Sequence, residues 1–183
     1  MSESAQAVVV NIPDEVVTQS RVRYFELPLG AGTMALITLD NGKDHTRPST
    51  FGPAGLASLN TALDEIAART DIAAVGITGK PFIFAVGADL SAMSMVNDPR
   101  IIAAFGKLGH DVMRRFGEFS VPTFAFVNGA AMGGGMELAL HCNYRTVSAD
   151  AAALSLPEVF LGLIPGWGGA WLLPHLVGPK NAL

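Results

Sequence analysis

Residues 121–140 form an almost unbroken apolar run, and its interruptions constrain the fold more than any other stretch. Its length raises the possibility of a membrane span. Pro122, Asn128, Glu137 and the glycines Gly129, Gly133, Gly134 and Gly135 fall inside it, however. They divide the run into a buried strand over 123–127, a turn at Asn128-Gly129 and a helix entering near Gly133.

The rest of the chain alternates in the same way. Residues 1–20 show no period and read as a loose, flexible arm before a core domain over 21–183. Residues 22–27 and 34–39 read as strands joined through Gly30-Ala31-Gly32 in a hairpin. Residues 40–50 are a polar loop. Pro53 then opens a helix whose Leu56, Leu59, Leu63 and Ile66 share one face. Residues 73–78 form a strand ended by Gly79-Lys80-Pro81, with 82–84 expected to pair beside it. Asp98 and Pro99 suit the N-cap and first position of a helix. Its apolar repeat at Ile101, Phe105, Leu108, Val112, Phe116 and Phe119 runs to a break at Pro122. Short strands follow at 144–148 and 153–155. Strand–helix alternation of this kind predicts an α/β fold.

Composition excludes several function classes. Half the residues are hydrophobic and 15% are charged, which rules out a disordered chain. A net charge of −4 without a basic run offers nucleic acid no electrostatic foothold. Cys142 stands alone, so it forms no internal disulfide and fits a reducing, cytoplasmic setting. No signal-peptide pattern opens the chain. Neither a P-loop nor a Gly-x-Gly-x-x-Gly nor a Gly-x-Ser-x-Gly elbow is present. His141 follows Glu137 by one helical turn, but His45, His110 and His175 lack ligand spacing with it. It is expected to be a partly buried histidine, with no metal site.

Two carboxylates in apolar settings carry the chemistry. Glu137 follows the triple glycine, and Glu158 lies between leucine, proline, valine and phenylalanine. Buried carboxylates are costly unless paired or used, and two in unlike environments divide into acid and base. Helical side chains lean toward the N-terminus, so Glu137 should project over Gly133 and Gly134. The positive helix end there should favour its ionised form. Apolar neighbours should keep Glu158 protonated. A backbone N–H at the strand end 84–88 and another at the glycine-opened helix would make an oxyanion hole if aimed at one oxygen. Each cluster alone is better explained by tight packing.

In combination these motifs resemble the crotonase superfamily, the enoyl-CoA hydratases and isomerases. The resemblance rests on Phe84-x-x-Gly87-Ala88-Asp89-Leu90, on Pro122 through Gly133-Gly134-Gly135-x-Glu137-Leu138, and on Pro157-Glu158-x-x-x-Gly162-x-x-Pro165-Gly166-x-Gly168-Gly169. It covers about residue 22 to the end. It implies a spiral of ββα units, an acyl-CoA thioester substrate and no cofactor beyond the CoA of that substrate. It also implies oxyanion donors at Ala88 and Gly134, with Val86, Gly87 and Asp89 around the substrate. In hydratases of the family two glutamates hold the attacking water, and they map onto Glu137 and Glu158. Isomerases typically keep the later one, so the pair points to hydration of a trans-2-enoyl-CoA in fatty-acid β-oxidation. Isomerisation of the double bond by Glu158, and a non-catalytic acyl-CoA binder, are the alternatives.

Two departures stand out. Residues 40–51 do not match the family's short Ala-Leu-Asn segment, leaving Lys43 and Arg47 as candidates for the CoA phosphates. Asn143 replaces the usual aspartate and reads as structural. Met93, Met95, Phe105 and Trp167 either line the acyl pocket or belong to the core. A helix begins at Gly178-Pro179-Lys180, three residues before the last, which leads to the expectation of a longer polypeptide. The family's C-terminal helices cover the site and build trimers or hexamers; without them Trp171, Leu172, Leu173 and Leu176 should be partly bare.

Overall fold

The computed structural model describes residues 14–89 and 98–182. Strands β1 (Gln19–Glu26) and β2 (Thr33–Asp40) pair antiparallel along their full length, with a short 3₁₀ turn at Pro28–Gly30 between them. In β2 buried and half-buried residues alternate, the pattern of a strand packed on one face. Three parallel strands continue this sheet: β3 (Ile72–Gly79), β5 (Thr123–Val127) and β7 (Tyr144–Val147), in the order β1-β2-β3-β5-β7. A second, smaller sheet holds β4 (Phe82–Val86), β6 (Gly129–Met132) and β8 (Leu154–Ser155), all parallel. After β1 and β2, which both lie in the large sheet before the first helix, each later pair of strands places one in each sheet, the ββα spiral that the resemblance implies.

This arrangement corrects two expectations. Residues 82–84 do not pair with β3, and Asn128-Gly129 is followed by strand β6 before the helix enters near Gly133 as expected. Both places are crossings from the large sheet to the small one, and they are stitched to each other. Asn128 Oδ1 accepts the Gly79 N–H at 3.0 Å, while its Nδ2 donates to the carbonyls of Gly79 and Lys80 at 3.2 and 2.7 Å. A periodicity argument cannot tell a hairpin turn from a crossing, because both consume the same Gly, Pro and Asn residues.

The helices are α1 (Pro53–Ala67), α2 (Pro99–Arg114), α3 (Gly134–His141), α4 (Gly169–Val177) and α5 (Pro179–Ala182). Leu56, Leu59, Leu63 and Ile66 of α1 are buried in one core with Ile37, Leu39, Val75 and Ile77 of the large sheet. Full burial of each such side chain contributes about 1.5–3 kcal/mol. Asp98 caps α2 by accepting the Arg100 N–H at 2.9 Å, as its sequence suggests. That helix stops at Arg114, well before Pro122, and a 3₁₀ turn (Arg115–Gly117) carries buried Phe116 into the core. The short helix expected near Lys180 is α5, and Trp171 and Leu176 are exposed, with Leu172 and Leu173 half-buried. No helix among the described residues is long and apolar enough to cross a membrane.

The expectation of a loose arm through residue 20 also needs correction. Residues 1–13 lie outside the described part, but Thr18 is fully buried and donates to the Thr50 carbonyl at 2.6 Å. Glu15 accepts the N–H groups of Ala54 and Gly55 at 3.0 and 2.9 Å. Helix α1 has no side-chain cap of its own, so this carboxylate satisfies first-turn donors from afar. Nothing in the local sequence around Glu15 announces that partner.

Candidate active site

A cavity of about 360 Å³ opens where the end of β4, the start of α3 and the segment 157–167 meet. Its walls are largely apolar, including Ile102 and Phe105 from α2 and Leu161, Leu163 and Ile164 from the later segment. Val86, Gly87, Ala88, Gly133, Gly134, Glu137, Glu158 and Trp167 all face it. The structure thus brings together most of the residues singled out from sequence, although they are spread over 82 positions.

The first wall is built by backbone pairing. Phe51 bridges Ala88 in parallel fashion. Phe51 N–H donates to the Gly87 carbonyl at 2.9 Å, and Asp89 N–H donates to the Phe51 carbonyl at 3.0 Å. A parallel ladder that uses Gly87 and Asp89 in this way turns the N–H of the residue between them to the opposite side. Ala88 therefore directs its donor away from residue 51, toward the glycines of α3.

Those glycines permit the opposing approach. Gly133 sits at φ 52°, in the left-handed region that glycine occupies without strain. Gly135 has no room for a side chain, since a Cβ there would lie 1.9 Å from the Ala85 carbonyl oxygen. The chain so enters α3 with the Gly134 N–H at its open end, where helical donors have no partner within the helix. Ala88 and Gly134, from separate segments, both line the one cavity.

Glu137 is 2% exposed, and its Oε1 accepts the N–H groups of Trp167 at 2.7 Å and Gly169 at 2.8 Å. It thereby serves the first turn of α4 as well as facing the cavity. Burial pushes its carboxyl above the ordinary value of 4.5; the two N–H donors oppose that shift and nearby Glu158 adds to it. Desolvation therefore opposes the preference for the ionised form expected from the helix end, although Glu137 stands in the first turn of α3.

Glu158 enters from a 3₁₀ turn, Glu158–Leu161. Its Oε2 is buried and without a hydrogen-bond partner, and its Oε1 lies 2.9 Å from where a Gly133 Cβ would stand. Burial raises its carboxyl as well, as its apolar neighbours suggested. Both acids are tuned upward, but they are held very differently.

Not every candidate converges. Lys43 and Arg47 are exposed on the loop after β2 and do not line the cavity. Asp89 stands next to Ala88 without lining it, and Met93 and Met95 fall outside the described residues. Trp167 and Phe105 are buried and also form cavity wall, so pocket and core prove to be one for them. Asn143 is structural: its Oδ1 accepts from the Thr123 N–H and hydroxyl, both at 2.9 Å. Burial pushes the Cys142 thiol up to about 12, so it is not a nucleophile at neutral pH. Among the described residues no group of three His, Cys, Asp or Glu could hold a metal.

Sequence reasoning missed Ile102, Leu161, Leu163 and Ile164 as cavity walls. It also missed Lys80, whose buried ammonium gathers Asn41 Oδ1 and the carbonyls of Lys43, Asp44 and Arg47 at 2.6–3.0 Å. Lys80 thus fixes the loop leading to Phe51. A lone lysine in a Gly-Lys-Pro turn carries no signal of that role.

An α/β spiral with two carboxylates lining one apolar cavity defines a class of scaffold, and sequence comparison says which. Residues 30–183 match the family model described as enoyl-CoA hydratase/isomerase, and the chain belongs to that family. It is 36% identical over 168 residues to the fatty acid oxidation complex subunit alpha of Shewanella frigidimarina, covering 90% of this chain and 23% of that protein. The chain therefore spans less than a quarter of that relative's length. Among solved structures it superposes on Pseudomonas aeruginosa DspI with a TM-score of 0.75 at 29% identity, covering 97% of this chain and 66% of that one. An enoyl-CoA hydratase from Bacillus anthracis gives 0.75 at 28% identity, with 88% and 60% covered.

Proposed function

We propose that this chain hydrates a trans-2-enoyl-CoA to the 3-hydroxyacyl-CoA. The observation that carries the reading is that Glu137 and Glu158, from separate elements, face one apolar cavity together with Ala88 and Gly134. The thioester carbonyl accepts from the Ala88 and Gly134 N–H groups, which stabilise the enolate-like charge as it forms. In other enzymes one such donor is worth about 2.7–4 kcal/mol. Ionised Glu137 takes a proton from water as the water oxygen bonds to C3. The C2=C3 electron pair shifts toward the thioester, and protonated Glu158 delivers its proton to C2. The carboxyls then differ from their starting states by one proton, which returns through solvent. The reaction needs no cofactor beyond the CoA that the substrate carries.

Apolar walls support a hydrocarbon acyl chain. Relatives named as alpha subunits of a fatty acid oxidation complex support a substrate drawn from fatty-acid breakdown. A second reading has one observation in its favour. Glu137 Oε1 is already engaged by two backbone donors, as a purely structural carboxylate would be. Glu158 would then act alone, moving the double bond of a 3-enoyl-CoA to the 2-position. Crotonyl-CoA and a 3-enoyl-CoA given to the same preparation separate the readings. Water addition to crotonyl-CoA supports hydration, and a double-bond shift without water addition supports the second reading. Binding of either thioester without turnover overturns both.

A further inference from the structure

Helix α3 grips the segment 165–169 at two points, and the mechanism uses only one of them. Glu137 and His141 are four residues apart, on one face of α3. Glu137 Oε1 accepts the Trp167 N–H at 2.7 Å, and His141 Nε2 lies 2.7 Å from the carbonyl oxygen of the same Trp167. Residue 167 is therefore held by its donor and its acceptor at once. His141 does not line the cavity.

We propose that His141 is a positioning residue for Glu137, acting through the Trp167 backbone. This inference rests on the hydratase reading for its effect on rate. A carbonyl oxygen can only accept, so the Nε2 atom of His141 carries the proton. Burial lowers the His141 pKa, with the Trp167 contact opposing and His110 adding to that shift, which keeps the ring neutral. The groups around it are His110 of α2, with ring centroids 6.0 Å apart, and Glu137 one turn away on α3. The ring comes so close to the chain that a Cβ on Gly168, at φ 116°, would stand 2.8 Å from His141 Nε2. Glycine at 168 and histidine at 141 form one fitted contact.

The consequence reaches the cavity in two ways. The Trp167 and Gly169 N–H groups that hold Glu137 lie on either side of the carbonyl that His141 holds. The Trp167 ring also forms cavity wall, edge-on to Phe51 and Phe105 at 6.4 and 5.5 Å between centroids. Removing the imidazole leaves a buried carbonyl without its donor, and the segment relaxes to find another. The donors of Glu137 move with it. A displacement of about 1 Å at a catalytic group can cost on the order of 100-fold in rate.

The test compares His141→Leu with His141→Gln, which keeps a side-chain N–H to give. His141→Leu should lower kcat for crotonyl-CoA hydration by about 10–100-fold with KM little changed. It should speed hydrogen exchange of the Trp167 and Gly169 amides, and it should move the acidic limb of kcat upward as Glu137 loses its donors. His141→Gln should restore most of kcat and the slow exchange. Full activity with unchanged exchange in His141→Leu, or equal damage in both variants, overturns the inference. Exchange also reads it out if the wild-type chain hydrates nothing, a result that sinks the hydratase reading by itself. Should His141→Leu fail to fold, nitrogen NMR of the wild type decides: a proton on Nε2 supports the inference, and one on Nδ1 alone contradicts it.

Discussion

Glu137 and Glu158 face the same cavity from opposite kinds of structure. Glu137 stands on a helix inside the core, and one oxygen is tied to two amides of the following helix. Glu158 stands on a short turn whose neighbours Val159 and Phe160 are exposed, and its buried Oε2 has no partner. The fold therefore fixes one acid and leaves the other to be satisfied by what enters. That difference suits a fixed base that orients water and a more adjustable acid that reaches the substrate carbon. Substitutions at the two positions should lose similar amounts of activity but very different amounts of stability.

The largest effect should be on rate. Glu137→Gln and Glu158→Gln should each lower kcat for hydration by about 10²–10⁴-fold, the usual range for general acid–base groups. A loss at Glu158 alone would break the comparison and return Glu137 to a structural role. Next, Ala88→Pro removes the backbone donor and should cost about 10²–10³-fold. Ala88→Ser keeps the donor and should be far milder. Equal damage from both would assign position 88 to packing.

Stability should separate the two acids in urea unfolding. Glu137→Ala leaves the Trp167 and Gly169 amides buried without a partner and should cost about 1–3 kcal/mol. Glu158→Ala deletes an oxygen that already lacks one and should change stability by about 0.5 kcal/mol or less. The smallest effect is on pH dependence. The folded-state pKa of Glu137 is raised above 4.5, so the native state holds its proton longer than the unfolded chain. Stability from this group is present below 4.5 and declines as pH rises through the raised value. Glu137→Gln accepts the same two amides without titrating. Its stability relative to wild type should therefore increase between about pH 4 and neutrality. A flat difference across that range would mean that Glu137 is not desolvated.

Much of this was legible in the residues, for reasons that differ from place to place. The start of α2 was readable because Asp98 and Pro99 act locally, and β5 because an apolar run bounded by Pro122 and Asn128 has one outcome. The nearness of Glu137 to Gly134 was readable from helix geometry, whereas Ala88 and Glu158 joined them only through the resemblance, since no spacing rule links residues so far apart. What stayed hidden was set by partners distant in sequence. Glu15 caps α1 about forty residues away, and Lys80 organises the loop after β2, more than thirty positions earlier in the chain. The crossings at Gly79 and Asn128 looked like ordinary turns. The desolvation of Glu137, which works against its helix end, was not readable either, because burial is a property of the assembled fold.

The most direct test of the central claim is the ratio of hydration to double-bond shifting in Glu137→Gln. Crotonyl-CoA and a 3-enoyl-CoA are supplied to one preparation whose folding is checked by circular dichroism. If both carboxylates work on the water, hydration falls by at least about 100-fold, while any shifting by Glu158 is spared. A folded Glu137→Gln protein that hydrates crotonyl-CoA at close to the wild-type rate would contradict the account.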